Sequence, residues 1–156
     1  MIIIRTATIA DLLQLSSLFN LYRVFYRKQA DVEGANTYLR ERIQNNESVI
    51  FVAEEENNLL GFTQLYPQFS STRMMRSWLL NDLFIAQEHR GRGISKKLLE
   101  AAKQLARDTN AVGLLLETEK TNETGNRLYP STGFVLYDET NFYWWANESG
   151  VNTSTD

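Results

Sequence analysis

Leu80-Asn81-Asp82-Leu83-Phe84-Ile85-Ala86-Gln87-Glu88-His89-Arg90-Gly91-Arg92-Gly93-Ile94-Ser95-Lys96-Lys97-Leu98-Leu99 is the stretch on which the reading of this chain turns. Its first part continues an apolar run that starts at Arg76 or Ser77 and ends at Ala86, the pattern of a buried strand. Arg90 to Ser95 then form a glycine-rich turn. Beyond it Leu98, Leu99, Ala102, Leu105 and Ala106 recur at helical spacing, with Lys96, Lys97, Lys103 and Arg107 outside the stripe. Two glycines one residue apart let the backbone turn tightly and bring its N–H groups to a ligand without Cβ obstruction. The helix that follows presents unpaired amides and the positive end of its dipole at the same place. The combination is an anion site suited to phosphate or pyrophosphate, weighed against a plain strand-to-helix corner. It is not a Walker loop, which needs a wider glycine spacing and Lys-Ser/Thr at the helix start. A dinucleotide fingerprint also fails, because the third glycine is missing and a hairpin precedes the strand.

Working outward, Ile2-Ile3-Ile4 opens a short strand, and Thr8 with Asp11 has capping-box spacing. Leu12, Leu15, Phe19, Tyr22 and Tyr26 mark one face of a long helix, and Asp31 to Asn46 a second. Ser48 to Glu55 and Leu59 to Tyr66 pair as a hairpin around Asn57-Asn58, and Pro67 to Thr72 is expected to be a loop. Val112 to Glu119 is a further strand and Asn122 to Tyr129 a short helix. Phe134 to Tyr137 and Phe142 to Trp145 are expected to close the sheet. The order β-α-α-β-β-β-α-β-α-β-β predicts an α/β (α+β) domain rather than a helical bundle or a β-sandwich.

Composition narrows the chemistry. The 156 residues, 43% hydrophobic and 22% charged, fit one domain, with a flexible tail expected over 147–156. No apolar run approaches the ~18 residues of a membrane span, and Met1 to Arg5 has no basic region before an apolar one, so a cytoplasmic protein is expected. Cysteine is absent, which excludes disulfides, cysteine metal sites and an acyl-cysteine intermediate. The one histidine, His89, would have to serve any serine triad, and a His-rich metal site cannot form; no metal is expected. Sixteen basic against 19 acidic residues argue against nucleic acid as a main partner and are compatible with a cationic ligand.

Leu80 to Leu99 resembles motif A of the GNAT superfamily of acetyl-CoA-dependent N-acetyltransferases. Asn122-Glu123-Thr124-Gly125-Asn126-Arg127-Leu128-Tyr129, followed by Gly133-Phe134, is similar to that superfamily's Asn…Leu-Tyr…Gly-Phe stretch, and Ala7-Thr8…Asp11…Leu15 is a weaker match. The resemblance runs over about residues 2–146 in the expected order and spacing. It implies a mixed, mostly antiparallel sheet of six to seven strands with about four helices on both faces, a single domain over 1–146, and a homodimer. It also implies acetyl-CoA as co-substrate. Backbone groups of Leu83, Phe84 and Ile85 would run alongside the pantetheine arm and polarise the thioester carbonyl. Amides from Gly91 and Arg92 through Gly93, Ile94 and Ser95 to Lys96 would hold the pyrophosphate. Asn122 would bond the pantetheine, and Tyr129 would protonate the leaving thiolate, a suitable task for a phenol of pKa ~10.

Two departures from the family pattern stand out. Polyamine acetyltransferases carry Glu-Asp where this chain has Asn81-Asp82, and Asn81 cannot be a base. Period-two alternation turns Asp82 to the opposite face unless a bulge re-aims it. Glu117 acting through a water is another candidate, as is solvent, so the base stays open. Pro130 directly after Tyr129 is expected to end the short helix one residue early and re-aim the phenol, while Gly125 signals only a cost in helix stability.

Tyr26, Gln64 and Tyr66 are candidate acceptor contacts, with Asn81 and Glu117 beside them. Tyr22, Phe25, Tyr38 and Phe69 are assigned mainly to the core. His89 is an exposed loop side chain in the plain reading, and Arg92 and Lys96 either meet coenzyme phosphates or face solvent. Trp144 and Trp145 are assigned to sheet packing or a dimer surface, and Glu54-Glu55-Glu56 to a solvated hairpin tip. The leading function is acetyl transfer to a primary amine of a small molecule by direct attack. A protein amine as acceptor, a non-catalytic coenzyme-A-binding regulatory module, and an unrelated phosphate-anion binder are the alternatives.

Overall fold

Ile3–Thr6 forms the first strand, β1, and its arginine sets the entry to the helices. Arg5 Nη1 and Nη2 donate to the Asp11 carboxylate at 2.8 and 2.7 Å, and the Thr8 amide donates to it at 2.8 Å. The expected Thr8–Asp11 cap therefore exists, around a 3-10 turn at Ile9–Asp11 that leads into α1 (Leu12–Phe25). Helix α2 (Val32–Gln44) is capped by the Asp31 carboxylate, which accepts from the Gly34 amide at 2.9 Å. Strand β2 (Val49–Glu55) turns through Glu56 and Asn57, with φ of 51° and 67°, into β3 (Asn58–Ser70). Two consecutive left-handed residues match the twist of a tight hairpin.

Strand β3 runs past Pro67, where a loop was expected, because β4 (Met75–Ile85) pairs with it as far as Ser70↔Met75. Pairing of β3 with β2 stops at Leu65↔Val49, so Pro67 has a neighbouring strand on one side only and its missing N–H is tolerated. The helix α3 (Ile94–Asp108) and the short β5 (Leu114–Leu116) follow. One five-stranded sheet results, ordered β1-β2-β3-β4-β5 and antiparallel except for β4–β5. Helices α1 and α2 cover one face through Leu15, Phe19, Leu39, Val52, Phe62 and Phe84. Helix α3 covers the other, packing Ile94 and Leu98 on Ala53, Leu60 and Ile85. This is the mixed, mostly antiparallel α/β architecture expected, with five strands among the described residues in place of six or seven.

The structure describes residues 1–149, and they divide into two units, Met1–Glu117 and the part from Thr118 onward. Of the tail expected to be flexible, residues 150–156 lie outside the described residues. In the second unit α4 (Glu123–Ser131) starts at Asn122, whose side chain accepts from the Gly125 amide at 3.1 Å. The helix passes through Tyr129 and Pro130 instead of ending before them. Proline in the last turn forfeits a single amide bond, and the backbone closes further on. Gly133, at φ 95°, donates to the Pro130 carbonyl at 3.2 Å, and the Phe134 amide to that of Tyr129 at 3.1 Å. That is a Schellman closure, with the Phe134 ring 6.1 Å from Tyr129.

Phe134 is thus used to stop a helix, and neither Phe134–Tyr137 nor Phe142–Trp145 forms a strand. Trp144 and Trp145 are 90% and 81% exposed, so they do not pack a sheet. An apolar alternation without a strand partner has no ladder to join. Two further expectations change. Phe25, Tyr38 and Phe69 are exposed rather than core, and the glutamates at the β2–β3 tip are engaged: Glu54 with Arg5 at 2.6 Å, Glu55 with Arg92 at 2.9 Å.

Candidate active site

The register between β3 and β4 contains one extra residue. Leu65 lies opposite Leu80 and Gln64 opposite Asp82, which leaves Asn81 as a bulge. Neighbours on β3 point to opposite faces, so Leu80 and Asp82 do too, although they are two residues apart. The bulge also corrects the expected separation of Asn81 from Asp82: Asn81 Nδ2 donates to Asp82 Oδ1 at 2.9 Å. At the same level β4 loses its second neighbour. Its parallel pairing with β5 covers Trp78↔Leu114 to Leu80↔Leu116 and stops. Leu83, Phe84 and Ile85 remain paired with β3 on one side, while their other edge has no strand beside it among the described residues.

That open edge leads into the glycine turn. Gly91 and Gly93 have φ of 78° and 76°, a conformation side-chain-bearing residues rarely adopt. The first helical bond of α3 runs from the Lys97 amide to the Gly93 carbonyl at 3.3 Å, so the amides of Ile94, Ser95 and Lys96 precede it. Arg90, which sequence reasoning passed over, ties the turn down. Its Nε donates to the Ile85 carbonyl at 3.0 Å, and its guanidinium lies over Phe84 and Phe25 at 5.5 and 5.8 Å. Arg92 points back to Glu55, both of whose carboxylate oxygens it meets. Lys96 is exposed and His89 half-buried.

On the α1 face of the bulge lies a buried carboxyl held by neutral groups. Asp82 is 3% exposed; Gln64 Nε2 donates to its Oδ2 at 2.6 Å. The Tyr22 hydroxyl donates to the Asn81 carbonyl at 3.2 Å and also bonds the Asp82 side chain. Burial pushes the Asp82 carboxyl above the usual carboxylate range, against the pull of Gln64, Asn81 and Tyr22. Gln64 is fully enclosed, and its Oε1 accepts from Ser48 at 2.8 Å. The signal for Asp82 in the sequence was its neighbour Asn81, but a bulge depends on the partner strand's register and leaves no local mark.

Aromatic rings surround this centre. Tyr26 stands edge-on to Tyr22 at 5.2 Å, and Tyr22 edge-on to Phe84 at 6.1 Å. The Tyr66 hydroxyl bonds that of Tyr38 at 2.6 Å, and burial followed by this bond pushes the Tyr66 phenol upward. Glu117 is exposed just beyond β5. Asp82, Asn81, Gln64, Tyr26 and Tyr66 are thus brought to one region of the first unit by shared or linked contacts, and Glu117 has no bond to them. In the second unit Asn122 caps the start of α4 and Tyr129 lies about two helical turns further along it. A Cβ at Gly125 would fall 2.6 Å from Asn122 Nδ2 and 3.1 Å from Tyr129 Cε2. Gly125 therefore leaves room for both side chains, which is more than the helix cost expected of it.

The sequence model of the acetyltransferase (GNAT) family matches residues 15–134. An uncharacterized N-acetyltransferase of Bacillus subtilis strain 168, YhfO, is 45% identical over 140 residues, covering 86% of this chain and 94% of its own. A crystal structure of a probable acetyltransferase superposes with a TM-score of 0.88 at 40% identity, covering 93% of this chain and 97% of that one. A predicted acetyltransferase from Clostridium acetobutylicum, solved with acetyl-CoA, shares the fold at a TM-score of 0.75 and 21% identity, with 92% and 96% covered.

Proposed function

This chain belongs to the GNAT family of acetyltransferases, and on that premise we propose that it transfers acetyl from acetyl-CoA to a primary amine of a small molecule by direct attack, with no acyl-enzyme. The observation that carries the proposal is the half-paired end of β4 running into two left-handed glycines at a helix start. An extended polar chain ending in a diphosphate fits such a track, strand edge first and helix amides last. The coenzyme supplies an activated acyl group as a thioester.

The residues divide the remaining work. Backbone groups of Leu83, Phe84 and Ile85 bind the pantetheine portion and donate to the thioester carbonyl, where charge develops. Amides from Gly91 to Lys96 hold the pyrophosphate. Asp82 takes the proton that an ammonium acceptor must lose; burial raises its carboxyl and so favours holding that proton. Gln64 and Asn81 orient the Asp82 carboxylate, while Tyr26 and Tyr66 wall the acceptor. Asn122 bonds the pantetheine, and Tyr129 donates a proton to the departing thiolate. The lack of cysteine leaves no thiol to carry an acyl group, which supports direct attack.

Calorimetry with acetyl-CoA should give one binding event, and loss of thioester absorbance over a panel of diamines, amino acids, aminoglycosides and peptides should pick out a small amine. No heat from acetyl-CoA would overturn the coenzyme assignment. Turnover confined to peptides would overturn the small-molecule acceptor. An acidic limb removed by Glu117→Gln and kept by Asp82→Asn would move the base to Glu117.

A further inference from the structure

Gln64 has no exposed surface, and its amide is a bridge: one end meets Ser48, the other Asp82. A terminal amide can occupy the same space in two orientations that exchange oxygen and nitrogen. With the orientation reversed, Gln64 Oε1 would stand against a carboxylate oxygen, which is repulsive while Asp82 is ionised. The ionised carboxylate, which can only accept, selects the orientation with the nitrogen toward it. The Ser48 hydroxyl lies 2.8 Å from Oε1 and donates to it, which satisfies the far end of the amide in that orientation.

We propose that Ser48, just ahead of β2, is a positioning residue that pairs and polarises the Gln64 amide and thereby favours the ionised Asp82 carboxylate. The proposal rests on the reading of Asp82 as the base. Only the ionised form needs the nitrogen of Gln64. A protonated Asp82 tolerates either orientation, because its own O–H can turn to Gln64 Oε1 or to the Tyr22 oxygen. Removing the Ser48 hydroxyl breaks a polarised chain, hydroxyl to amide to carboxylate, and the weakened Gln64 N–H costs a charged acceptor more than a neutral one. The other groups facing this centre are Tyr22 and Tyr26 from α1, Tyr38 and Arg42 from α2, and Tyr66 from β3. Arg42 is held over the Tyr38 ring at 4.4 Å and paired with Glu41 and Glu47, each at 3.2 Å. The Asp82 carboxylate itself is bonded by the uncharged groups Gln64, Asn81 and Tyr22.

The test is the pH profile of kcat/KM in the full chain, followed by thioester loss, for Ser48→Ala and for the isosteric pair Ser48→Thr and Ser48→Val. Ala and Val should move the acidic limb upward by about half a pH unit, roughly a threefold change in the ionisation constant. Thr should leave it in place, and KM for acetyl-CoA should be unchanged throughout. Should Ala lose the fold, the Thr and Val pair carries the comparison at constant shape. An unmoved or lowered limb in Val, or a limb that moves equally in Thr, overturns the proposal. Asp82→Asn separates the two levels. A limb that survives in Asp82→Asn defeats the assignment of the base and Ser48 with it. A limb abolished there and unmoved in Ser48→Val defeats only the role of Ser48.

Discussion

Asp11 and Asp82 are both buried aspartates at the margin of the same α1 layer, and their surroundings differ in one respect. Asp11 faces a guanidinium, while the contacts of Asp82 are amides and a phenol. The Arg5 hydrogen bonds hold the Asp11 carboxyl below the usual carboxylate range and outweigh its burial. At Asp82 burial wins over three neutral donors and the shift is upward. A cation at hydrogen-bond distance fixes a carboxylate in one charge state, which suits a helix cap. Neutral donors leave both states within reach, which suits a group that must take up a proton.

The largest expected effect is on turnover. Asp82→Asn should lower kcat/KM at neutral pH by about 10²- to 10⁴-fold and remove its acidic limb, whereas Asp11→Asn should leave the activity of folded molecules within about twofold. Equal losses in steady-state assays of the two variants would break the contrast. Tyr129→Phe should follow, with kcat reduced about tenfold or more and KM little changed; parent-like turnover would discard its role as acid. Next comes stability. Asp11→Asn should cost about 1–2 kcal/mol, a fall in Tm of roughly 2–8 °C by calorimetry, because it breaks a forked ion pair whose carboxylate is buried while its guanidinium stays partly in solvent. The smallest effect is in the pH dependence of melting. Asp11, with its lowered pKa, stabilises the fold above the ordinary carboxylate value, and that support is lost as pH falls through its folded pKa. Asp82, with its raised pKa, does the reverse. Its cost is absent below the ordinary value and grows as pH rises toward the folded pKa. Relative to the parent, Asp82→Asn should flatten the decline on the alkaline side of that window and Asp11→Asn the decline in acid. The opposite pairing in melting curves would reverse the assignment.

Much of this architecture was legible because it is local. The Leu98-Leu99-Ala102 stripe, the Thr8–Asp11 cap and the paired glycines each declare themselves within a few residues, and the structure has α3, the cap and the left-handed turn at those places. What could not be read depends on distant partners. Asn81 bulges because of where Leu65 and Gln64 fall on β3. Turn-forming Pro67 to Ser70 become strand because Arg76 crosses to Phe69, at 4.9 Å over its ring. Alternation from Phe134 onward looks like a strand, yet the amide of Phe134 is taken by Tyr129. Gln64 was legible as a polar residue near the acceptor but not as a fully enclosed one; its place between Ser48 and Asp82 emerges only once two strands are laid side by side.

Counting positions along β4 leads somewhere less obvious. Deleting Asn81 alone would set Asp82 directly after Leu80, each still across from its present partner and each still on its present face. The shortened strand would be the more regular one, free to continue its ladder with β5 beyond Leu116. The one surplus residue of β4 thus sits where its parallel ladder ends, and a tidier strand would lose the open edge that leads to the glycine turn.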